Sequence, residues 1–373
     1  MADEIAVVGG VDTHTDFHQA AVIDPIGRHL ATEAFATTPC GYRQLLHWLR
    51  SHGEVIAIGV EGTGAHGSEL AQYLRANQVT VIEVDRPDRR ARRANGKSDP
   101  VDAFAAATAV LSGRADGTPK TRDGIVEAIR TLQVVHRSAV KGRTQVINQI
   151  RTLIVTAPGE IRERLRTLAP AELIKQLSRS RPGTDTSDPA CAGRIALRRL
   201  ARRYQYLTEE IADADAELKT LVLEAAPSLA ALPGVGTETA AQLLITAGDN
   251  PERLTSEASF AHLCAAAPVP ASSDRTNRHR LNRGGDRRAN HALHMIPLAR
   301  MRYDQRTQDC VARRTAEGMS KKDILRCLKH FIAREIYKHL TRPRTAPHRT
   351  ATTPTDRLTV YRSFINGGAH RRP

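Results

Sequence analysis

Aromatic residues are scarce in this sequence, and its cysteines are not paired. Phe, Trp and Tyr together make up 4% of the residues, with a single Trp, so a platform of aromatic rings for stacking nucleic-acid bases is not expected. The five cysteines show no CxxC pattern and no Cys/His spacing typical of a metal site. This scatter argues against structural zinc and against a disulfide framework.

Long apolar runs are also absent. No segment approaches the roughly eighteen continuous apolar residues of a membrane-spanning helix, and residues 1–20 lack the basic-then-apolar pattern of a signal peptide. Hydrophobic residues still occupy 40% of the 373 positions, which is enough to fill the cores of two or three domains. We therefore expect a soluble cytoplasmic protein without a membrane partner.

What the sequence has in excess is positive charge. Lys and Arg number 55 against 40 Asp and Glu, which gives a formal charge of +15 and a pI of about 10.1. Residues 271–344 alone contain 19 Lys and Arg against seven Asp and Glu. This concentration predicts a surface that binds a polyanion, and nucleic acid is the foremost candidate.

The first 120 residues predict a mixed α/β domain. Short β-branched runs alternate with helical patterns at about 41–52, 65–77 and 99–111, and two or three strands precede the first helix. This order is typical of an RNase H-like fold, in which helices cover the faces of a mixed sheet. The predicted strands are Ile5–Asp12, Gln19–Asp24, Leu30–Phe35, Val55–Glu61 and Val79–Asp85.

The rest of the chain predicts helices. Apolar residues repeat at helical spacing over residues 125–153 and 195–221, which predicts two long helices in a coiled-coil arm with Arg179–Gly193 as the loop at its tip. A mostly α-helical C-terminal domain follows, and a basic tail rich in Pro, Thr and Arg is predicted to be disordered. The predicted domains are 1–120, 121–226, 227–342 and 343–373.

Four carboxylates from separate segments form the first candidate site. Asp12 and Glu61 each end a predicted strand, and Asp99 and Asp102 begin a helical run at an i, i+3 spacing that places both on one face. Converging carboxylates repel one another unless cations lie between them. Two Mg²⁺ or Mn²⁺ ions about 3.5 to 4 Å apart would stabilise the attacking and leaving oxygens of a phosphodiester.

Each of these acids also has a purely structural interpretation. Asp99 before Pro100 fits a helix N-cap, and Asp102 would then lie in the first turn, where the helix dipole favours an acid. A single Asp or Glu at the end of a strand is more often a turn residue. The presence of all four acids in this order favours the metal site.

Two further motifs predict contacts with phosphates. Arg86–Lys97 holds six basic residues and one Asp, and it is either a clamp on phosphates beside the carboxylates or a solvated loop. Residues 232–244, LPGVGTETAAQLL, resemble a helix-hairpin-helix element that holds a phosphate on backbone N–H groups, with Thr237 capping the next helix and a plain turn as the alternative. The candidate residues are Arg86, Arg89, Arg90, Arg92, Arg93, Lys97, Gly234, Gly236 and Thr237.

A pair of serines among arginines forms a second candidate catalytic element. Residues 268–290 read PVPASSDRTNRHRLNRGGDRRAN, and Ser272 or Ser273 could attack a phosphate whose charge the arginines neutralise. Taken alone, a Ser-Ser pair in a loop is usually just a turn. The arginines predicted to bind nucleic acid here are Arg275, Arg278, Arg280, Arg283, Arg287 and Arg288.

As a set, these motifs resemble the IS110 family of insertion-sequence transposases, the DEDD type with a RuvC-like N-terminal domain. The matching segments are GVDTHTDFHQAAVID, VEGTG, KSDPVDA, LPGVGTETA and the serine segment, in the family's order over about residues 5–340. The resemblance implies that Asp12, Glu61, Asp99 and Asp102 form the metal-binding tetrad. It also implies that one serine becomes covalently linked to a 5′ phosphate of DNA.

The resemblance implies partners as well. These are donor and target DNA, a structured noncoding bridge RNA that pairs with both and takes over most of the sequence choice, and coiled-coil dimers that assemble into a tetramer. The bound protein would then be associated with the nucleoid. One position departs from the family pattern, because Asp274 follows Ser273 where relatives commonly have Gly. Ser273 is favoured over Ser272 because it precedes that position.

Two other functions stay open at this stage. A RuvC-like nuclease or resolvase would use metal-activated water and would not need the serine. A noncatalytic nucleic-acid-binding protein would keep the four acids only as vestiges. The presence of all four argues against this second alternative, because a binding module gains only repulsion from them.

Overall fold

The described part of the chain forms two compact units. The computed structural model describes residues 5–84, 98–271, 279–280 and 282–341. The first unit contains the described residues up to Asp123 together with Ala247–Arg253, and the second contains Gly124–Thr246 and the described residues from Leu254 onward. Among the described residues, every helix is too short or too polar to span a lipid bilayer.

The first unit is built on a five-stranded mixed sheet, as the sequence predicts. The strands are β1 (Ala6–Thr13), β2 (Phe17–Ile23), β3 (His29–Ala36), β4 (Glu54–Glu61) and β5 (Val81–Val84). Their order in the sheet is β3-β2-β1-β4-β5. β2 pairs antiparallel with β1 and β3, whereas β4 pairs parallel with β1 and β5. This arrangement fits a RuvC-like fold in broad terms.

Helices cover both faces of this sheet. They are α1 (Pro39–Ser51), α2 (Ser68–Ala76) and α3 (Asp99–Leu111). Because successive side chains of a strand point to opposite faces, Val7 and Val11 of β1 share a core with α1 and α2, whereas Val8 shares a core with α3. The sheet is therefore buried on both sides along β1.

The backbones of α3 and β1 approach closely because Gly10 has no side chain. A Cβ atom at Gly10 would lie 2.2 Å from the Ala103 carbonyl oxygen and 2.3 Å from the Ala107 nitrogen. On β4, a Cβ atom at Gly59 would lie 2.9 Å from the Ala106 carbonyl oxygen. Glycines on the sheet and alanines on the helix thus set how near α3 comes to the two central strands.

The second unit is mostly helical, again as the sequence predicts. Its strands among the described residues are the short antiparallel pair β6 (Val269–Pro270) and β7 (His279–Arg280), which the sequence did not predict. Its helices are α4 (Ile125–Val155), α5 (Gly159–Leu165), α6 (Pro170–Arg179), α7 (Pro189–Ala225), α8 (Pro227–Ala230), α9 (Thr237–Ala247), α10 (Glu257–Leu263), α11 (Arg287–Tyr303), α12 (Gln305–Ala316) and α13 (Lys321–Leu340).

The two long helices α4 and α7 pack side by side and run in opposite directions. The His136 Nε2 atom of α4 lies 3.1 Å from the Asp215 carboxylate of α7, whereas Gly142, further along α4, lies beside Leu207, earlier in α7. Their shared core also takes in residues of α5 and α6. The helix pair is present in the structure, and its use as a coiled-coil arm stays a prediction.

The loop predicted at Arg179–Gly193 is too long at both ends. Arg179 is the last residue of α6, and α7 already begins at Pro189. The Asp188 carboxylate caps α7 by accepting hydrogen bonds from the backbone N–H groups of Ala190 and Cys191. Asp followed by Pro is a helix start as well as a loop former, which is why composition alone misplaced this boundary.

Gly10→Ala should destabilise the first unit. The new methyl group would collide with the backbone of α3, and forcing extra volume into a packed core costs about 1–3 kcal/mol or more. The matched control is Gly64→Ala, where a Cβ atom would have the flexible end of Arg122 as its nearest neighbour, 3.5 Å away. Chemical denaturation of both variants measures the difference, and equal stability would contradict this account of the packing.

Candidate functional site

Asp12 and Glu61 lie at the ends of two neighbouring parallel strands. Val11 of β1 pairs with Val60 of β4, so Asp12 and Glu61 are the next residues of the two strands. Each lies four residues after a residue of the core shared with α3, Val8 for Asp12 and Ala57 for Glu61. Because strand side chains alternate with a period of two, both acids lie on the α3 side of the sheet.

The start of α3 supplies the other two acids. The N-cap residue is Ser98, so Asp99 is the first helical residue and not the cap that its place before Pro100 suggests. The Asp102 N–H donates to the Ser98 carbonyl over 3.0 Å, and Asp102 is only 2% exposed. The structural interpretation of Asp99 as an N-cap is therefore wrong.

A histidine that the sequence analysis did not select joins this site. The His14 Nε2 atom lies 3.2 Å from Asp12 Oδ2 and 3.4 Å from Asp99 Oδ1. Asp12, His14 and Asp99 each offer one ligand atom, and these atoms lie within 4.8 Å of one another. We call these three residues the metal-ligand cluster. Glu61 and Asp102 are not members of this cluster, although the charge of Asp102 acts on Asp12.

The pKa of Asp12 is raised above its ordinary value. Burial is the largest cause, and the negative charges of Asp102 and Asp99 raise the pKa further, whereas His14 lowers it. A carboxylate that is both buried and surrounded by other carboxylates is destabilised in its charged form. The site is thus electrostatically suited to a cation.

The ends of β1 and β4 are tied together next to the acids. The Thr13 hydroxyl donates to the Glu61 carbonyl over 2.9 Å. Gly62 follows with a φ of +69°, and a Cβ atom there would lie 2.8 Å from the Thr13 Oγ1 atom. The VEGTG motif therefore needs its first glycine both for backbone conformation and for space.

In the second unit, a pocket of about 340 Å³ lies beside the start of α11. Two asparagines that line the pocket are hydrogen-bonded to the backbone of the preceding segment. The Asn290 amide donates to the carbonyls of Cys264 and Ala265 over 3.1 and 2.9 Å, and the Asn282 amide donates to the His262 carbonyl over 3.0 Å. The residues lining the pocket are Ala265, Asn282, Arg283, Gly285, Arg287 and Asn290.

Arg283 and Arg287 give this pocket its charge. Both side chains are exposed, and within the described part of the chain neither guanidinium is bonded to an acceptor. Lys329 lies behind the pocket wall, where its ammonium group donates to the Asn290 Oδ1 atom over 3.0 Å. Burial lowers the pKa of Lys329. Two unpaired arginines at a pocket are a suitable arrangement for a phosphate.

Of the remaining arginines predicted near the serines, two lie among the described residues and the others do not. Arg280 lies in β7 and is exposed. Arg288 is in the first turn of α11, and its charge is one cause of the lowered pKa of Arg137, after burial. Several predicted residues lie outside the described residues: Arg86, Arg89, Arg90, Arg92, Arg93, Lys97, Ser272, Ser273, Arg275 and Arg278.

The LPGVG segment forms a tight turn between α8 and α9. Gly234 has a φ of +75°, and the Arg300 Nε atom donates to the Pro233 carbonyl over 2.7 Å, which holds the turn against α11. α9 begins at Thr237 itself, and the Gly236 carbonyl accepts from the Ala240 N–H. Thr237 thus lies inside the helix, whereas the sequence predicted that Thr237 would cap it.

Two models of known protein families match this chain. Residues 9–157 match a family model described as a transposase, the DEDD transposase of IS110, and residues 226–312 match one described as "Transposase IS116/IS110/IS902 family". Together the matched residues make up more than half of the chain. The chain belongs to the IS110 family of transposases.

A curated relative of this IS110-family chain comes from Streptomyces coelicolor and is named for the transposase of the IS117 mini-circle. The two are 31% identical over 160 residues. The aligned part covers 41% of this chain and 38% of the relative. The likeness therefore spans less than half of either protein.

His14 could have been found from the sequence of this IS110-family chain. It follows Asp12 by two positions in VDTHTD, one residue past the end of β1. Strand alternation continued by one residue places it on the same face as Asp12. His14 was not among the predicted site residues. The contact with Asp99 could not be read in this way, because it depends on where α3 packs.

Asp12→Asn should stabilise the metal-free protein at neutral pH. A carboxyl whose pKa is raised in the folded state contributes stability at low pH that is lost as the pH rises through the folded pKa. Asn removes that loss, so the unfolding midpoint in EDTA should rise. The gain should shrink below about pH 3.9, the ordinary pKa of Asp.

The matched control for this measurement is Asp116→Asn, which removes the same charge from an exposed position of the first unit. Its midpoint should stay close to that of the wild type. A lower midpoint for Asp12→Asn than for this control would contradict a raised pKa of Asp12 in the folded, metal-free protein.

Proposed function

We propose that this chain is a DNA transposase that cuts and joins strands at the carboxylate site of its first unit. The observation that carries the proposal is the metal-ligand cluster of Asp12, His14 and Asp99 beside the buried Asp102. Membership of a transposase family supports the same reaction class. The substrates are the donor ends of an insertion sequence and a target DNA.

The donor set of this site fits a divalent cation. Carboxylate oxygens are the ligands of Mg²⁺ and Mn²⁺. A cation would favour the charged form of Asp12, whose pKa is raised by burial and, further, by the charges of Asp102 and Asp99. Asp12 and Asp99 would hold the ion, with Asp102 and Glu61 completing the proposed tetrad. When bound, the ion supplies positive charge to the phosphate oxygens of the reacting strand.

A serine of the 268–290 segment would be the nucleophile, Ser273 before Ser272. Its Oγ atom would form a bond to phosphorus as the bond from phosphorus to the 3′ oxygen breaks. The serine proton leaves, the 3′ oxygen takes up a proton to become a hydroxyl, and the 5′ phosphate stays on the protein. The pocket lined by Arg283 and Arg287 supports this step, because it places two exposed arginines in the same segment.

The remaining family features belong to the proposal as well. A bridge RNA would choose the DNA sequences, and α4 with α7 would form the coiled-coil arm of a dimer that assembles into a tetramer. The turn at Gly234 and Gly236 would act as a helix-hairpin-helix contact for a phosphate. The basic segment Arg86–Lys97 would hold the nucleic acid beside the carboxylates.

A RuvC-like nuclease or resolvase is the second candidate. The carboxylate site alone favours it, since that site can activate water without a serine. The two candidates differ in one product, the covalent link between protein and DNA.

Detection of that link is the test of the proposed function. The protein is incubated with Mg²⁺, candidate element-end DNA and its flanking noncoding RNA, and denaturing gels show any adduct. We expect the adduct in the wild type and its loss in Ser273→Ala, and a decrease of roughly 10- to 100-fold or more in Asp102→Asn and Glu61→Gln. Asp116→Asn is the control that should retain the adduct.

Three other outcomes carry different conclusions. Loss in Ser272→Ala in place of Ser273→Ala would move the nucleophile by one position. Nicked DNA without an adduct would favour the nuclease. Full cleavage in both carboxylate variants would rule out the proposed metal site.

Arg287→Gln should weaken DNA binding more than the loss of one surface charge elsewhere. Log affinity falls as log salt rises, and each lost phosphate contact reduces the magnitude of this negative slope by about 1. Arg302→Gln is the matched control, because Arg302 is also exposed and unpaired among the described residues. It lies about 22 Å further along α11 at 1.5 Å per residue. Equal salt slopes for the two variants would remove the pocket as a phosphate site.

A further inference from the structure

His14 stands between two acids that come from different parts of the fold. Asp12 lies two residues before it on β1, and Asp99 is the first residue of α3. The distances from His14 Nε2 to the two carboxylate oxygens are 3.2 and 3.4 Å. Neighbouring ligand atoms around an octahedral ion are about 3 Å apart when the ion is about 2.1 Å from each. The spacing therefore suits one ion shared by all three residues.

The backbone and ring of His14 are held in this position. The backbone N–H of His14 donates to the Phe17 carbonyl over 3.2 Å, and the backbone carbonyl of His14 accepts from the Thr37 hydroxyl over 3.3 Å. The ring packs against Phe17 with a centroid distance of 5.4 Å. The side chain is nevertheless 41% exposed, so core packing does not account for its placement.

His18, four residues later, shows what a structural histidine looks like in this sheet. It is fully buried and stacks on Tyr42 with a centroid distance of 5.7 Å. Burial is the main cause that lowers its pKa to about 4. His14 differs on each point that matters for a ligand, because it is accessible and its Nε2 atom faces carboxylates.

We propose that His14 binds the metal ion directly through Nε2 and gives the site a preference for Mn²⁺ over Mg²⁺. Mg²⁺ takes oxygen ligands almost without exception, whereas transition-metal ions also accept imidazole nitrogen. A site of two carboxylates and one imidazole is thus better matched to Mn²⁺ than a site of carboxylates alone. This inference rests on the proposed metal site, and it adds a residue and an ion selectivity to it.

The competing role for His14 is that of a hydrogen-bond donor. In that role it would donate to the carboxylates of Asp12 and Asp99 in the metal-free protein and would not touch the ion. Gln can replace such a donor but has no imidazole nitrogen. His14→Gln should therefore restore Mn²⁺ binding if His14 is only a donor, and should fail to do so if His14 is a ligand.

The experiment measures metal binding to the full chain. Calorimetry gives the affinities for Mn²⁺ and Mg²⁺, and pulsed electron paramagnetic resonance detects coupling of bound Mn²⁺ to imidazole nitrogen. We expect this coupling in the wild type and its loss in His14→Ala and His14→Gln. Mn²⁺ affinity should fall by roughly 10-fold or more in both variants, with a much smaller fall for Mg²⁺. Circular dichroism confirms folding.

The control variant is His47→Ala, which removes an exposed imidazole from α1 on the other face of the sheet. It should keep both the coupling and the affinity. Bound Mn²⁺ that shows no nitrogen coupling, or coupling that survives in His14→Ala, would overturn the ligand role and leave the metal site standing. No Mn²⁺ binding, or binding unchanged in Asp12→Asn, would instead remove the metal site itself.

Discussion

The close approach of α3 to β1 is the contact on which the candidate active site depends. Gly10 lies two residues before Asp12 on the same face of the sheet, and Ala103 directly follows Asp102 in α3. A side chain at Gly10 would have to occupy the space of the Ala103 carbonyl and the Ala107 nitrogen. The distance between the two sets of acids is therefore fixed by a backbone contact and not by the acids.

This contact holds together groups that repel one another. Asp102 is 2% exposed and Asp12 is 9% exposed, and their charges act on each other in a partly desolvated site. Apolar packing of α3 on the sheet offsets that repulsion in the metal-free fold, because the hydrophobic contribution grows with buried area and does not depend on the acids. A cation at the proposed metal site would reduce this repulsion, and the carboxylates would already be in place to bind it.

In the second unit, polar contacts position the start of α11, whereas in the first unit close contacts of glycine and alanine position α3. A chain of hydrogen bonds runs from Arg137 of α4 through Gln242 and Thr246 of α9 to the Asp286 carboxylate. Asp286 also caps α11. These hydrogen bonds hold the first turn of α11, which carries Arg287. The segment 268–290 therefore ends in a helix whose first turn is held by hydrogen bonds.

The sequence by itself determined the mixed sheet, the helical second part and the identity of the family. Strand and helix periodicity are local properties, and motifs such as VEGTG and LPGVG keep their order along the chain. Only the tertiary structure decided that His14 meets Asp99, that Ser98 and not Asp99 is the helix cap, and that α7 starts at Pro189. These depend on the depth of helix packing and on the competition between neighbouring capping residues. Packing depth is settled by contacts between distant segments, and the choice of cap is settled by the backbone geometry of the folded chain. Neither can be derived from a residue pattern.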